Sequence, residues 1–271
     1  MMVTGMNDSE LLALLDAGCE IAAQAGSRIL EIYDTDFEVT SKQDDSPLTA
    51  ADLAAHRCIR DGLAELTPSL PLLSEESSEL GWATRSAWDT YWLVDPLDGT
   101  KEFVKRNGEF TVNIALIRNH EPVLGVVHVP VTGLTYCGAR GSGAFRQSDG
   151  GSRQPISVRV PAAAPLRVVG SRSHPAPGLA AFLAQLGPYE IVPMGSSLKF
   201  CLVAEGGADV YPRLGPTSEW DTAAAQAVVE CAGGRVLTAN GRALSYNGKD
   251  SLLNPHFLVV GDSGHTWPAF R

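Results

Sequence analysis

Several features that would announce a function are scarce in this chain of 271 residues. Cysteine occurs five times, at Cys19, Cys58, Cys137, Cys201 and Cys231, an odd count with no C-x-x-C pair. That spacing argues against a disulfide framework or a zinc knuckle and for free thiols in a reducing compartment. Positive charge is in deficit, with 21 Lys and Arg against 31 Asp and Glu for a net charge of -10. Proteins that coat nucleic acid carry a basic face, so a nucleic-acid polymer is not expected as a partner. Any polyanionic ligand has to find its positive charge locally, from a few side chains or from bound metal. The longest nearly apolar run, Val123 to Val131, is about half a membrane span and contains His128, so no transmembrane segment is expected. The N-terminal "MMVTGMNDSE" has no basic segment followed by an apolar one, and a cytoplasmic protein without a secretory signal is the expectation. There is no internal repeat and no low-complexity tract.

What is present is an ordinary globular composition, 44% hydrophobic and 19% charged, long enough for one large domain or two intimately packed halves. From Asn7 to Tyr33, Leu11, Leu15, Cys19, Ala22, Ala25, Ile29 and Ile32 recur at helical spacing behind the capping cluster Asn7-Asp8-Ser9. A second helix is expected from about Thr49, carrying Leu53, Ile59, Leu63 and Leu66. Strands follow in "LPLLSEE", in "YWLVDPLDGT", in the alternating "EFTVNIALI" and its hairpin partner "PVLGVVHVP", then at Leu134 to Cys137 and Ile156 to Val160. Past the Pro-rich tract 159–167, short strands and helices alternate: "LRVVGS", a helix near Pro177 to Leu186, "EIVPM", a helix from Ser196, "ADVYPR", a helix from Asp221, "RVL" and "FLVV". The fold class is therefore α/β, with an α+β half over residues 1–160 and an α/β half over 161–271.

The acids are arranged for chemistry. Glu75 and Glu76 end one predicted strand, Asp95 and Asp98 end another, Asp221 opens a helix, and Asp52 sits in the first turn of the second helix. Singly, each has a plain structural reading as a cap, a turn or solvated surface. Together they collect where α/β proteins place ligands, after strands and at helix starts. Hard divalent cations take oxygen ligands, and two Mg²⁺ about 3.5 to 4 Å apart can activate water and stabilise a leaving oxygen. No Cys or His cluster competes for a softer metal. Gly99 and Thr100 follow Asp98, and their N–H groups suit an anion.

The segments "LSEE", "SPLTAAD", "DPLDGTKEF" and "EWDTAAA" together resemble the inositol monophosphatase-like, magnesium-dependent, lithium-sensitive phosphatases. The longer "DPLDGTKEFVKRNGEFTVNIALI", with "SRSH", "GSSLKFCLVAEG" and "YPRLGPTSEWDTAA", resembles the branch that acts on nucleoside bisphosphates. The resemblance implies a layered αβαβα fold and two or three Mg²⁺ ions. It implies that Glu75, Asp95, the Leu97 carbonyl, Asp98 and Asp221 ligate metal, and that Asp52 with Thr100 positions the attacking water. Glu75, Gly99, Thr100 and Asp221 would also meet the substrate, and Ser171, His174, Ser196, Ser197, Lys199 and Arg213 are candidates for its nucleotide. The implied reaction removes the 3'-phosphate of adenosine 3',5'-bisphosphate, and of its 5'-phosphosulfate analogue, in a role tied to sulfate assimilation. Inositol-1-phosphate or fructose-1,6-bisphosphate on the same metal core is the nearest alternative, and a non-catalytic Mg²⁺- or nucleotide-binding regulator is an alternative of another class. Monomer and homodimer stay open, as does the peripheral inner-membrane association of some relatives.

Overall fold

A computed structural model describes residues 6–35, 47–77, 80–171 and 178–270. Helix α1 (Asp8–Tyr33) starts at a reciprocal cap, in which the Asn7 side chain accepts from Glu10 N at 3.0 Å and Glu10 accepts from Asn7 N at 2.9 Å. Its buried stripe of Leu11, Leu15, Cys19, Ala22, Ala25 and Ile29 follows the predicted face. Helix α2 (Pro47–Leu66) lies against α1 and buries Ala51, Ala55, Ile59 and Leu63. Leu53, expected on that face, is only half-buried.

The first sheet runs in chain order: β1 (Leu72–Ser74), β2 (Thr90–Asp98), β3 (Thr111–Arg118), β4 (Glu121–Val129), β5 (Leu134–Ala139), β6 (Gly143–Ser148) and β7 (Gln154–Ile156). Strands β1 and β2 are parallel and the rest antiparallel. A short helix α3 (Trp82–Arg85) precedes β2, and α4 (Thr100–Val104) follows it. The last strand ends at Ile156, short of the predicted Val160, where Val158 N leaves the ladder to donate to the Ala232 carbonyl.

The second sheet is built from β8 (Leu166–Ser171), β9 (Tyr189–Met194), β10 (Val210–Arg213), β11 (Arg235–Thr238) and β12 (Phe257–Val260), in the order β11-β12-β10-β8-β9. Between these strands lie α5 (Leu179–Leu183), α6 (Leu198–Ala204) and α7 (Ala223–Cys231).

Three apolar clusters define the layers. One joins α1 and α2 to Trp92, Val94, Ile114 and Leu116 on one face of the first sheet. The next joins the opposite face, through Leu93, Ala115, Ile117 and Val127, to α6 and α7 and on to Val169, Tyr211, Phe257 and Val259 of the second sheet. The third covers the outer face of the second sheet with Phe182 of α5. The order is αβαβα, as the resemblance implied. Because helices cover both faces of the first sheet, β3 is buried along nearly its whole length and its alternation does not mark a solvent side. Helix α7 comes so close to β4 that a Cβ on Gly125 would stand 2.0 Å from the Ala224 carbonyl oxygen.

Candidate functional site

Asp95 and Asp98 are three residues apart in a strand, which by period alone puts their side chains on opposite faces. A bulge changes this. Asp95 pairs with Asn113 and Asp98 with Thr111, so two residues of β2 oppose one of β3 and both acids come to the face shared by Asn113 and Thr111. Pro96, which has no N–H to lose, and Leu97 occupy the bulge. The Leu97 side chain is fully buried in the α1/α2 cluster, and its N–H donates to Asp95 Oδ1 at 3.1 Å. Immediately after, Gly99 turns the chain at φ 93° into α4. A Cβ there would meet Ser196 Cβ at 3.1 Å and the backbone of Glu109 and Phe110 at 3.2 Å, so only glycine fits.

The segment Gly195-Ser196-Ser197 seals this turn from the second half of the chain. Ser197 N donates to Asp98 Oδ2 at 2.5 Å, and its hydroxyl bonds both Asn113 Oδ1 and Thr111 Oγ1 at 2.8 Å. Gly195 N donates to Glu109 Oε2 at 2.7 Å, and Ser196 itself holds a left-handed φ of 42°. Asp221 ends a 3-10 turn, Glu219–Asp221, where its Oδ2 accepts from Ser218 N at 2.9 Å.

The electrostatics show how these acids converge. Burial is the first cause raising the Asp95 pKa, followed by the charges of Glu75, Asp98, Asp221 and Asp52. Asp98 is also raised by burial, against the opposing pull of Lys199 and the Ser197 N–H. Asp221 is pushed up to about 7 by burial and then by Asp98. Asp52 is fully buried on α2, and Glu75 is half-buried on the 3-10 turn after β1. Lys199 is 7% exposed, lies 5.7 Å from the Tyr211 ring centroid, and is lowered to about 8 by burial despite Asp98. Arg213 Nη2 donates to the Pro216 carbonyl at 2.7 Å.

Asp98, Gly99, Thr100, Ser196, Ser197, Lys199, Arg213 and Asp221 line one cleft of about 250 Å³. Eight of the sequence candidates thus line the cleft, and Glu75, Asp95 and Asp52 are coupled to it through charge, while Leu97 lies in the bulge between Asp95 and Asp98. Ser171 ends β8 opposite Met194, with its side chain outside the described residues, and His174 lies outside them altogether.

The donor set fits a hard cation: five carboxylates, no Cys or His among the groups that shift Asp95, and burial that penalises their charge. Asp95, Asp98 and Asp221 each commit one oxygen to a backbone N–H, a contact that aims a carboxylate while leaving its second oxygen available. Among the described residues no three His, Cys, Asp or Glu side chains stand close enough to grip one ion.

Residues 10–264 match the inositol monophosphatase family. The chain belongs to that family. It is 52% identical over 248 residues to the 3'(2'),5'-bisphosphate nucleotidase CysQ of Escherichia coli strain K12, a match covering 91% of this chain and 99% of that protein. Among solved structures it resembles CysQ from Bacteroides thetaiotaomicron, with a TM-score of 0.83 and 43% identity across 92% of this chain and 97% of that one. An inositol monophosphatase from Anabaena (Nostoc) sp. PCC 7120 superposes with a TM-score of 0.75 at 28% identity, over 93% of this chain and 92% of that one.

Sequence reasoning missed Asn113, Glu109 and Tyr211. Thr111 and Asn113 are polar residues on one face of an otherwise apolar strand, a signal that was available. Tyr211 carried none, since an aromatic residue in a strand is ordinarily core.

Proposed function

We propose that this protein is a Mg²⁺-dependent 3'(2'),5'-bisphosphate nucleotidase. It hydrolyses the 3'-phosphate of adenosine 3',5'-bisphosphate, and of its 5'-phosphosulfate analogue, to the 5'-nucleotide and phosphate. The observation that carries this reading is one cleft lined by groups of both charges, the carboxylates of Asp98 and Asp221 and the cations of Lys199 and Arg213. A substrate with two phosphates needs both, one phosphate at the carboxylates and one held by fixed cations. The high identity to bacterial nucleotidases along nearly the whole chain supports the same choice over inositol or sugar phosphates.

Glu75, Asp95, the Leu97 carbonyl, Asp98 and Asp221 would hold the Mg²⁺ ions, which when bound supply the positive charge that polarises the phosphate and acidifies water. The rest falls to the protein. The Thr100 hydroxyl and Asp52 orient the attacking water and accept its proton. Backbone N–H groups at the start of α4 face the phosphate oxygens. The chain offers Lys199 and Arg213 to the second phosphate, with Ser196 and Ser197 fixing the wall between the two sites. A covalent phosphoenzyme is unnecessary in this scheme, because water reaches the phosphorus directly.

Phosphate release measured across adenosine 3',5'-bisphosphate, its 5'-phosphosulfate analogue, inositol-1-phosphate and fructose-1,6-bisphosphate, with Mg²⁺ and with added Li⁺, tests the proposal. The nucleotides should be preferred and Li⁺ should inhibit. A preference for inositol-1-phosphate would overturn the substrate assignment, and no release from any of the four would overturn the catalytic one. Among the described residues no helix is long and apolar enough to cross a membrane.

A further inference from the structure

The turn that carries Asp221 is held from behind by residues 247–254, none of which lines the cleft. Glu219, two residues before Asp221, is fully buried, and its Oε2 accepts from Asn247 N at 2.7 Å. Its Oε1 stands 3.6 Å from the Lys249 ammonium, and Glu219 N donates to the Leu252 carbonyl at 2.8 Å. At the far end of the same segment Asn254 N donates to the Thr217 carbonyl at 2.8 Å. The Asn254 side chain donates to the Ser218 carbonyl at 2.8 Å and to Thr222 Oγ1 at 3.1 Å. The chain from Thr217 to Thr222 is thus gripped on both sides of Asp221, while Ser218 N holds the Asp221 carboxylate itself.

The segment is in turn anchored to the first half of the chain. Arg85, buried at the end of α3, donates Nη1 to Asn247 Oδ1 at 2.7 Å and to the Lys249 carbonyl at 3.2 Å, and Nη2 to the Asp250 carbonyl. Asn247 returns a bond from Nδ2 to the Arg85 carbonyl at 2.6 Å. Packing alone does not account for this arrangement. Ions taken out of water lose hydration that pairing often fails to repay, and apolar side chains of similar volume would fill the space as well. What hydrogen bonds add is direction, which apolar contacts lack. The chain of bonds from Arg85 through Asn247 to Glu219 ends on the turn that presents Thr217, Asp221 and Thr222 to the cleft.

We propose that Glu219 is a positioning residue for Asp221: its buried carboxylate, locked through Asn247 to Arg85, fixes the turn from which Asp221 offers its oxygens to Mg²⁺. The inference rests on the metal-binding role proposed for Asp221. Groups behind a metal ligand act on affinity by holding that ligand in place before the ion arrives. Glu219 does not line the cleft, so losing its side chain loosens the turn and leaves the donors and cations of the cleft in the sequence. Metal binding weakens, while recognition of the second phosphate at Lys199 persists.

The test is calorimetric titration of Mg²⁺ into the metal-free full-length protein without substrate, followed by kinetics at saturating Mg²⁺. Glu219→Ala should raise the Mg²⁺ Kd by about ten- to a hundredfold. At saturating Mg²⁺ its kcat should return toward that of the wild type, with little change in the nucleotide KM. Glu219→Gln, whose amide oxygen can still accept from Asn247 N, should recover most of the lost affinity. Asn254→Ala loosens the other side of the turn and should also weaken Mg²⁺ binding, which keeps the test in force if Glu219→Ala does not fold. Asp209→Asn disrupts a buried ion pair with Arg159 just before β10, and should lower the melting temperature while leaving Mg²⁺ affinity unchanged. Wild-type affinity in folded Glu219→Ala or Asn254→Ala, an equal loss in Asp209→Asn, or no recovery in Glu219→Gln would each overturn the proposal. A wild-type protein that binds no Mg²⁺ would overturn the metal assignment together with it. Mg²⁺ binding without phosphate release would overturn the catalytic reading alone, and the affinity shift would still decide the role of Glu219.

Discussion

The backbone N–H of Ser197 donates to the carboxylate of Asp98 across 2.5 Å, tying the start of α6 to the end of β2 over a sequence separation of 99 residues. Through that bond the segment assigned to the nucleotide also sets the orientation of an acid assigned to metal. Under the proposed assignment the two share one hydrogen-bond network, which continues through the Ser197 hydroxyl to Asn113 and Thr111.

Ser197→Ala removes the hydroxyl and keeps the N–H. Asn113 Oδ1 and Thr111 Oγ1 then lose a buried partner, and leaving such groups unsatisfied costs about 1 to 3 kcal/mol. A urea titration should show that loss while metal-dependent activity survives at a reduced level. An unchanged midpoint would mean that water fills the hydroxyl's place.

Lys199→Ala separates recognition from chemistry. A charge-assisted hydrogen bond contributes about 1.5 to 3 kcal/mol, so kcat/KM for the nucleoside bisphosphate should drop by roughly ten- to a hundredfold. Inositol-1-phosphate, which has no second phosphate, should lose much less. Lys199→Met, which keeps the buried stem over Tyr211, should behave like the alanine variant. An equal loss on both substrates would place Lys199 in the chemistry rather than in recognition.

How far the site was legible depends on the kind of interaction that builds each part. Amphipathic periodicity announced α1 and most strands, because burial on one face is written into local spacing. The acid motifs announced carboxylates that gather at the cleft, because each stands beside a strand end or a helix start. The bulge between Asp95 and Asp98 is set by pairing with β3, so the fact that both acids share a face could not be read from β2 alone. Glu109 belongs to the site only because Gly195 lands on it from 86 residues away. Strand β6 was missed because its "GAFRQS" carries too few apolar residues to signal a strand, and it is held by pairing with β5 on one edge and β7 on the other.

Asp95→Asn should make the metal-free protein more stable even as it destroys activity. Burial and four neighbouring acids oppose the Asp95 charge, and deleting that charge should relieve on the order of 1 kcal/mol. Turnover should fall by more than about a hundredfold, the upper end of what losing a group behind a metal ligand costs. Thermal melts with and without Mg²⁺ check both halves: the variant should melt higher than wild type without the ion and gain little from adding it. Wild-type turnover by the variant would sink the proposed mechanism.

His128 provides a pH handle on stability apart from the cleft. It bonds Thr135 Oγ1 through Nδ1 at 2.8 Å and packs against Gly26 of α1, and burial holds it down to about 4 in spite of Asp149. The ordinary value is 6.5, so between the two values the unfolded chain binds a proton that the native state refuses. Stability therefore rises with pH across that window and is lost as pH falls through it, by about 3 kcal/mol over the full span. The raised acids of the cleft act in the opposite direction, so the informative quantity is the difference from His128→Asn, whose amide can keep the Thr135 bond. Denaturation of both proteins from pH 4 to 7 should show the wild type losing ground relative to the variant as pH drops, and parallel curves would refute the buried neutral histidine.

Metal loading should expel protons near neutrality. Without the ion, Asp221 titrates at about 7, raised by burial and by Asp98, and Asp95 is raised as well. Native protein then holds protons that the unfolded chain has already released, so metal-free stability should decline as pH rises from about 4 to 7. A cation that binds the carboxylates must displace those protons, and its affinity should increase with pH over the same range. Calorimetric titration of Mg²⁺ at pH 6.5, in two buffers of different ionisation enthalpy, should report release of about one proton per protein, diminishing as pH is raised beyond the Asp221 value. Asp221→Asn should reduce that release even where it leaves some binding intact. Heat independent of the buffer at pH 6.5 would show that the acids are already charged before the metal arrives, and that the repulsion between them is relieved in some other way.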